Sequence, residues 1–265
     1  MQYGAMNFPV KPVLNELEEI AARGFDYLEL TMDPPKAHHK DVQQQKKEII
    51  GALNSHKMDL ICHLPAFVST ADLTDGIRAA SLKEILMSLE VAAELDSLKV
   101  VLHPGHIGGM GFFVKEQAKK YAMESLDSVA EKVEQLGMNI CLENMFPKYP
   151  SFVYPEDFVE IFKRFPSFKL VLDIGHAHIG SKRGDRVFRF IEKFHSRIGH
   201  IHVSDNFGKE DQHLPIGVGA IDFPKVVKAL KKIGYEDMVT FEIFSRDWDY
   251  LEISRWKFSV MLAQG

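Results

Sequence analysis

The feature that most constrains this chain is an eightfold alternation of short apolar runs with longer segments of helical period. The short runs are QYGAMNF (2–8), YLELT (27–31), LICHL (60–64), KVVLH (99–103), NICLE (139–143), KLVLD (169–173), HIHVS (200–204) and VTFEI (239–243). Such runs, bounded by turn residues, read as strands buried on both faces. Between them, segments 14–23, 41–57, 77–95, 115–136, 155–164, 185–196, 223–233 and 247–262 place apolar residues three and four apart. In 115–136, Ala118, Ala122, Leu126, Val129, Val133 and Leu136 form one stripe, and Gly137 stands where a helix ends in a left-handed residue. This alternation calls for parallel strands joined by crossover helices. Eight units are what a closed (β/α)8 barrel requires, with its active site at the carboxyl ends of the strands. No Pro/Ser-rich linker, charge block or repeat divides the chain, so it reads as α/β, a single TIM-barrel domain over residues 1–265. An open doubly wound sheet is the rival, but it gathers its polar residues at one switch point. Here they end strand after strand.

His63 closes the third strand, His103 the fourth, Glu143 the fifth and Asp173 the sixth, with His176 three residues on. His202 lies near the end of the seventh strand and Glu242 near the end of the eighth. One histidine at a strand end is ordinarily a hydrogen-bonded structural residue. Several carboxylates buried in one barrel mouth cost several kcal/mol per charge, on the order of magnitude usual for buried ions, unless cations neutralise them. Mixed carboxylate and imidazole donors suit Zn²⁺, Mn²⁺, Fe²⁺ or Co²⁺ better than Ca²⁺, with Zn²⁺ or Mn²⁺ first among them, and no thiolate pairs are present for a structural zinc site.

The stretch DQHLPIGVG (211–219) extends this reading. Alone, a D-x-H followed by two glycines is a polar surface turn. After the seventh strand it swings Asp211 and His213 over the same mouth as two further ligands, Gly217 and Gly219 turn the chain, and Asp222 caps the following helix.

The bulk numbers exclude more than they assign. Net charge is -5, which gives no global attraction to phosphate backbones. Cys62 and Cys141 lie in apolar runs and read as buried free thiols of a reducing compartment. The N-terminal MQYGAMNFPVK has no basic region followed by an apolar one, and no run approaches the ~20 apolar residues of a membrane helix. The expectation is a cytoplasmic protein that does not engage membranes, with homo-oligomerisation left open. HIGGMGFF (106–113) reads as a mobile loop rather than a phosphate-binding one. His38 and His39 read as a solvated turn, and Lys182 and Arg183 as the exposed start of a helix. Phe112, Phe113, Phe146, Tyr149 and Trp248 are either core or walls of the site.

The segments LHPGH (102–106), CLEN (141–144), LDIGHAH (172–178), HIHVSDN (200–206), DQHLPIGVGAID (211–222) and TFEIF (240–244) together resemble the xylose isomerase-like TIM barrels, a superfamily of sugar isomerases and epimerases that also includes endonuclease IV. For the isomerase branch the resemblance implies a metal held by Glu143, Asp173, His202 and Glu242, with Glu143 and Glu242 also moving a proton next to a carbonyl. For the endonuclease IV branch it implies three zinc ions on nine ligands, matched here by His63, His103, Glu143, Asp173, His176, His202, Asp211, His213 and Glu242. Two departures count against DNA. Ala66 stands where that branch has a wedge tyrosine, with Phe67 beside it, and no Arg occurs in the loops TMDPPKAHHKD and HLPAFVST. Gln212 stands where both branches carry an Arg, which removes a holder for phosphate or carboxylate and points to an uncharged sugar or polyol. The leading expectation is therefore a metal-dependent sugar isomerase or epimerase. An abasic-site phosphodiesterase ranks second and a non-catalytic metal-binding barrel third.

Overall fold

The computed structural model describes residues 1–105, 107, 109–147 and 152–264. Its strands are β1 (Gln2–Met6), β2 (Tyr27–Thr31), β3 (Asp59–His63), β4 (Val100–Leu102), β5 (Ile140–Glu143), β6 (Lys169–Asp173), β7 (Ile198–Val203) and β8 (Met238–Phe241). Each pairs in parallel with the next, and β8 pairs back onto β1, closing an eight-stranded barrel. The helices are α1 (Val13–Ala22), α2 (His39–Gln44), α3 (Lys46–His56), α4 (Asp75–Glu94), α5 (Lys115–Leu136), α6 (Val159–Arg164), α7 (Ile174–His178), α8 (Asp185–Phe194), α9 (Phe223–Lys232) and α10 (Asp249–Gln264). Among the described residues no helix is long and apolar enough to cross a membrane. Cys62 and Cys141 are buried free thiols.

Several boundaries differ from the sequence reading, each for a local reason. Strand β1 stops at Met6 instead of residue 8, because the Thr31 N–H donates to the side-chain Oδ1 of Asn7 at 2.7 Å. His103 and Glu242 each stand one residue past their strands. The segment 41–57 is two helices, α2 and α3, with Gln45 at φ -96°, ψ 9° between them. The segment 155–164 opens with a 3-10 turn at Pro155–Phe158 before α6. Gly109–Phe113 also forms a 3-10 turn rather than an open loop, while His106 and Gly108 lie outside the described residues. Lys182 and Arg183 are exposed just before α8, as expected.

Inward-facing side chains alternate along each strand, as in any barrel. Towards its amino end the interior is closed by the Tyr27 ring lying on Gly4, where any Cβ would overlap the ring. Lys99 is buried with it, its Nζ donating to the Gly199 carbonyl at 2.7 Å and to Asp237 Oδ1 at 3.0 Å. Above Tyr27 come Glu29, His200, His202 and Thr240, and above them the mouth. Outside the strands one apolar shell, including Leu17, Ile20, Leu89, Phe158, Phe190 and Phe258, seats the helices.

Two glycine substitutions should therefore act in opposite directions. Gly4→Ala overpacks the Tyr27 contact and should cost about 1–3 kcal/mol, the usual range for forced core insertions. Gly51→Ala, in the middle of α3 with open space around the new Cβ, should add about 0.5–1 kcal/mol. Urea midpoints of the two variants measure both, and an unchanged midpoint for Gly4→Ala would mean that Tyr27 is free to move.

Candidate metal centre

The polar mouth is assembled from strand ends that are bonded to one another. Asn144, just past β5, donates Nδ2 to the Asp173 carbonyl at 3.0 Å and accepts the Asp173 N–H at 2.9 Å, which locks the ends of β5 and β6 together. Asp173 caps the short helix α7, its Oδ1 accepting the His176 N–H at 2.6 Å, so that His176 is turned back over the mouth. After β7, the buried carboxylate of Asp205 accepts the N–H groups of Gly217 (2.9 Å), Gly219 (3.0 Å) and Ile221 (3.1 Å). Asp205 also pairs with Leu214 through two backbone bonds of 2.8 and 2.9 Å. A Cβ on Gly219 would overlap Asp205 and the Asn206 backbone, and Gly217 sits at φ +85°, which explains both glycines. His213 holds φ +46°, a left-handed conformation that a non-glycine residue adopts only when its surroundings enforce it. Asp222 caps α9 as expected, accepting the Lys225 N–H at 3.1 Å.

All nine residues singled out in the sequence meet in one cluster. Glu143 Oε2 lies 3.3 Å from His63 Nε2, 3.3 Å from His103 Nε2 and 3.4 Å from His202 Nδ1, while Oε1 lies 2.9 Å from His176 Nδ1. His202 Nδ1 is also 3.1 Å from Glu242 Oε1 and 3.9 Å from Asp173 Oδ2. Asp211 Oδ2 joins His176 Nε2 at 3.2 Å to His213 Nε2 at 3.0 Å. His213 Nδ1 in turn approaches Glu242 Oε2 at 3.7 Å.

The hydrogen bonds decide which imidazole nitrogens are free. His63 Nδ1 donates to the Leu64 carbonyl at 2.9 Å, His176 Nδ1 to the Asn144 carbonyl at 2.9 Å and His213 Nδ1 to the Glu242 carbonyl at 3.1 Å. His202 is tethered through Nε2 to Glu29 Oε1 at 3.0 Å. A carbonyl or carboxylate only accepts, so the tethered nitrogen carries the proton and, in the neutral ring, the other nitrogen is a lone pair. In each ring that nitrogen faces a carboxylate of the cluster. Among the described residues, the buried His202 Nδ1 and Asp211 Oδ1 find no hydrogen-bond partner. Lone pairs turned towards carboxylates in a buried site repel unless a proton or a metal ion lies between them, so this donor set fits a divalent cation. Donor atoms of Glu143, Asp173 and His202 all lie within 4.8 Å of one another, as do those of His63, His103 and Glu143.

Electrostatics tell the same story for the metal-free protein. Burial pushes Asp173 up to about 7, against the pull of His176 and helped by the charges of Glu242 and Glu143. Burial works against a charged His63, but its bond to Glu143 outweighs it and holds the ring at about 9. His213 is held at about 9 in the same way by Asp211. Above the cluster opens a cavity of about 1080 Å³, near the upper end of ordinary small-molecule pockets.

Some of the sequence expectations need correction. His39 is buried, and neither it nor His38 is a solvated residue: both donate Nε2 to Glu84 Oε2, at 3.0 and 2.9 Å. His38 Nδ1 caps α2 by accepting the Lys40 N–H at 3.3 Å, so both its nitrogens are committed. Phe146 lines the cavity and packs on the His176 ring at 4.8 Å. Phe112 and Phe113 are exposed, whereas Trp248 packs partly buried against the core beneath Lys11 and Arg23, and Tyr149 is outside the described residues. Sequence reasoning missed Glu29, His200, Asn144 and Asp205. The polar residues inside YLELT and HIHVS were the available signal for the first two.

Comparisons with known proteins agree with the barrel fold. The family model of the xylose isomerase-like TIM barrel matches residues 17–261. An uncharacterized protein of Methanocaldococcus jannaschii is 29% identical over 91% of this chain and 83% of its own. Fructoselysine 3-epimerase of Escherichia coli O157:H7 is 22% identical, over 91% of this chain and 87% of its own. The crystal structure of a D-tagatose 3-epimerase-like protein superposes with a TM-score of 0.88 at 27% identity, covering 100% of this chain and 98% of that one.

The pH dependence of the metal-free protein follows from the raised histidines. Because His63 and His213 stand at about 9 when folded against an ordinary 6.5, their contribution is complete below pH 6.5 and is lost as pH rises through about 9. Asp173, raised to about 7 from an ordinary 3.8, acts in the same direction at lower pH, its contribution fading as pH rises through about 7. Thermal melts in chelator should show a falling midpoint across this window, and saturating Zn²⁺ should flatten the fall, since ligation replaces the protons. A flat profile in chelator would show that the cluster is not held together by protons.

Proposed function

The chain belongs to the xylose isomerase-like TIM barrel family, and within it we propose a divalent-metal-dependent sugar epimerase or isomerase that acts by proton transfer next to a carbonyl. The observation that carries this reading is the set of four tethered imidazoles, each aiming its second nitrogen at carboxylates below a cavity of small-molecule size. The sugar epimerases among its relatives support the same class. Glu143, Asp173, His202 and Glu242 are the proposed holders of one ion. His63, His103, His176, Asp211 and His213 supply more donors than one ion needs and are the proposed holders of a second. Zn²⁺ or Mn²⁺ suits this donor set. A bound divalent ion supplies the positive charge that polarises a substrate carbonyl.

The chain's own residues supply the rest. Glu143 and Glu242 reach the cavity from β5 and from the end of β8, both within 3.4 Å of the same His202 nitrogen. Burial opposes ionisation of Glu143, yet His103 and His202 hold it well below the usual carboxylate range, so it stands ionised, the form a general base requires. In this reading one glutamate removes the proton at the carbon beside the carbonyl and the other returns one. Phe8, Phe67, Phe146 and Phe244 surround the mouth, offering apolar faces to a sugar ring and limiting water. Gln212 turns its Oε1 onto the Phe207 N–H at 3.1 Å, within its own loop, which favours a substrate without phosphate or carboxylate at that end. The nuclease alternative gains less support. Asp33, Ala66, Phe67 and Glu210 are in the cavity wall, and among the described residues lining it Lys209 is the one Lys and there is no Arg, whereas a DNA-binding mouth would be basic.

Glu143→Gln and Glu242→Gln should each lower kcat by roughly 10²–10⁴-fold, the usual worth of general acid–base catalysis, with unchanged circular dichroism. The assay is a panel of free ketoses and amine-linked ketoses in D₂O. Wild-type product should carry solvent deuterium at the inverted carbon or at the carbon beside the new carbonyl, and turnover without deuterium would exclude the proton-transfer mechanism. Metal analysis should find at least two ions in fully loaded protein and one fewer in the His63→Ala/His103→Ala variant. One ion in both proteins would leave the extra histidines to substrate hydroxyls.

A further inference from the structure

We propose that Glu29, in the barrel interior beneath the cluster, is a positioning residue that fixes His202 in its Nε2–H tautomer and so reserves Nδ1 for a divalent ion. This rests on the metal-dependent reading above. Glu29 is fully buried, with three donors converging on its carboxylate. His202 Nε2 donates to Oε1 at 3.0 Å, while His200 Nε2 at 3.0 Å and Thr240 Oγ1 at 2.5 Å meet Oε2. The Tyr27 hydroxyl completes the chain by donating to Thr240 Oγ1 at 2.8 Å. An ionised carboxylate accepts all three bonds and gives none back.

The other tethered rings of the cluster, His63, His176 and His213, lean on backbone carbonyls, which no mutation of a side chain would remove. His202 leans on a charge. A carboxylate behind an imidazole both fixes the tautomer and makes the opposite nitrogen a stronger donor to a metal. Glu29 does not line the cavity, and among the described residues its hydrogen bond to the cluster runs to His202. A buried charge is costly to keep merely as filling, whereas behind His202 it acts on the ring nitrogen that Glu143, Asp173 and Glu242 surround.

The isosteric Glu29→Gln variant separates this role from a structural one. The amide oxygen can serve His200 and Thr240, and the arrangement that sacrifices fewest bonds then points the amide N–H at His202 Nε2. That ring must accept the bond and move its proton to Nδ1, towards the carboxylates. Zn²⁺ affinity of the folded protein, measured by chelator competition, should fall about 10–100-fold, as when the partner of a metal-bound histidine is lost. Thr240→Val removes a neighbouring bond but keeps Glu29 behind His202, so its Zn²⁺ affinity should stay near wild type. If Glu29→Gln binds Zn²⁺ as wild type does and merely lowers the melting temperature of the metal-free protein, Glu29 is structural and the proposal is overturned. An equal loss in Thr240→Val overturns it as well, since the effect would then be general core damage. Should Glu29→Gln fail to fold, ¹⁵N-edited spectra of Zn²⁺-loaded wild type decide: a proton on His202 Nε2 supports the proposal, and its absence refutes it. Wild-type protein without Zn²⁺ affinity would instead remove the metal-dependent reading itself.

Discussion

The structure depends on one electrostatic constraint: Glu143, Asp173, Asp211 and Glu242 are buried or nearly so around histidine nitrogens that have lone pairs to offer. Carboxylates brought this close in a poorly solvated mouth repel by several kcal/mol, an order-of-magnitude figure, unless positive charge sits among them. Without metal the positive charge is protons, which is why His63 and His213 hold theirs to about 9 and Asp173 rises to about 7. A divalent ion would meet the same demand once those protons are released.

Keeping such a site open requires that its members cannot relax away from one another. The backbone does much of this. Asn144 ties β5 to β6, Asp173 caps α7, and Asp205 gathers three amides of the following loop. The left-handed His213 shows the consequence, because its backbone is held in an unfavourable region so that its ring meets Asp211. Most residues of the cluster rest on strand ends while the aromatic rim sits on loops, a division that lets the rim vary without disturbing the cluster.

Much of the fold was legible in the sequence because its signal is local. Strand runs such as KLVLD and helical stripes such as 115–136 are periodic over a few residues, and parallel closure follows from repeating them eight times. The misreading of His38 and His39 has a non-local cause. The burial of His39 depends on how α2 meets α4, where Glu84 accepts both His38 and His39. That contact joins residues 45 or more positions apart, and no local pattern encodes it.

By itself the sequence determined the barrel and the order in which polar residues reach its mouth, since hydrophobic period and strand count do not depend on long-range detail. All nine candidate residues were named from their positions at strand ends and in the loop after β7. Only the tertiary structure decided which nitrogen of each histidine faces the cluster, because that depends on whether a carbonyl or a carboxylate stands behind the ring. It also decided what Glu29 and His200 touch. Inside YLELT and HIHVS they are polar residues in apolar runs, and their meaning arises when closure brings β2 across the barrel from β7, placing residues 171 and 173 positions apart within one hydrogen bond.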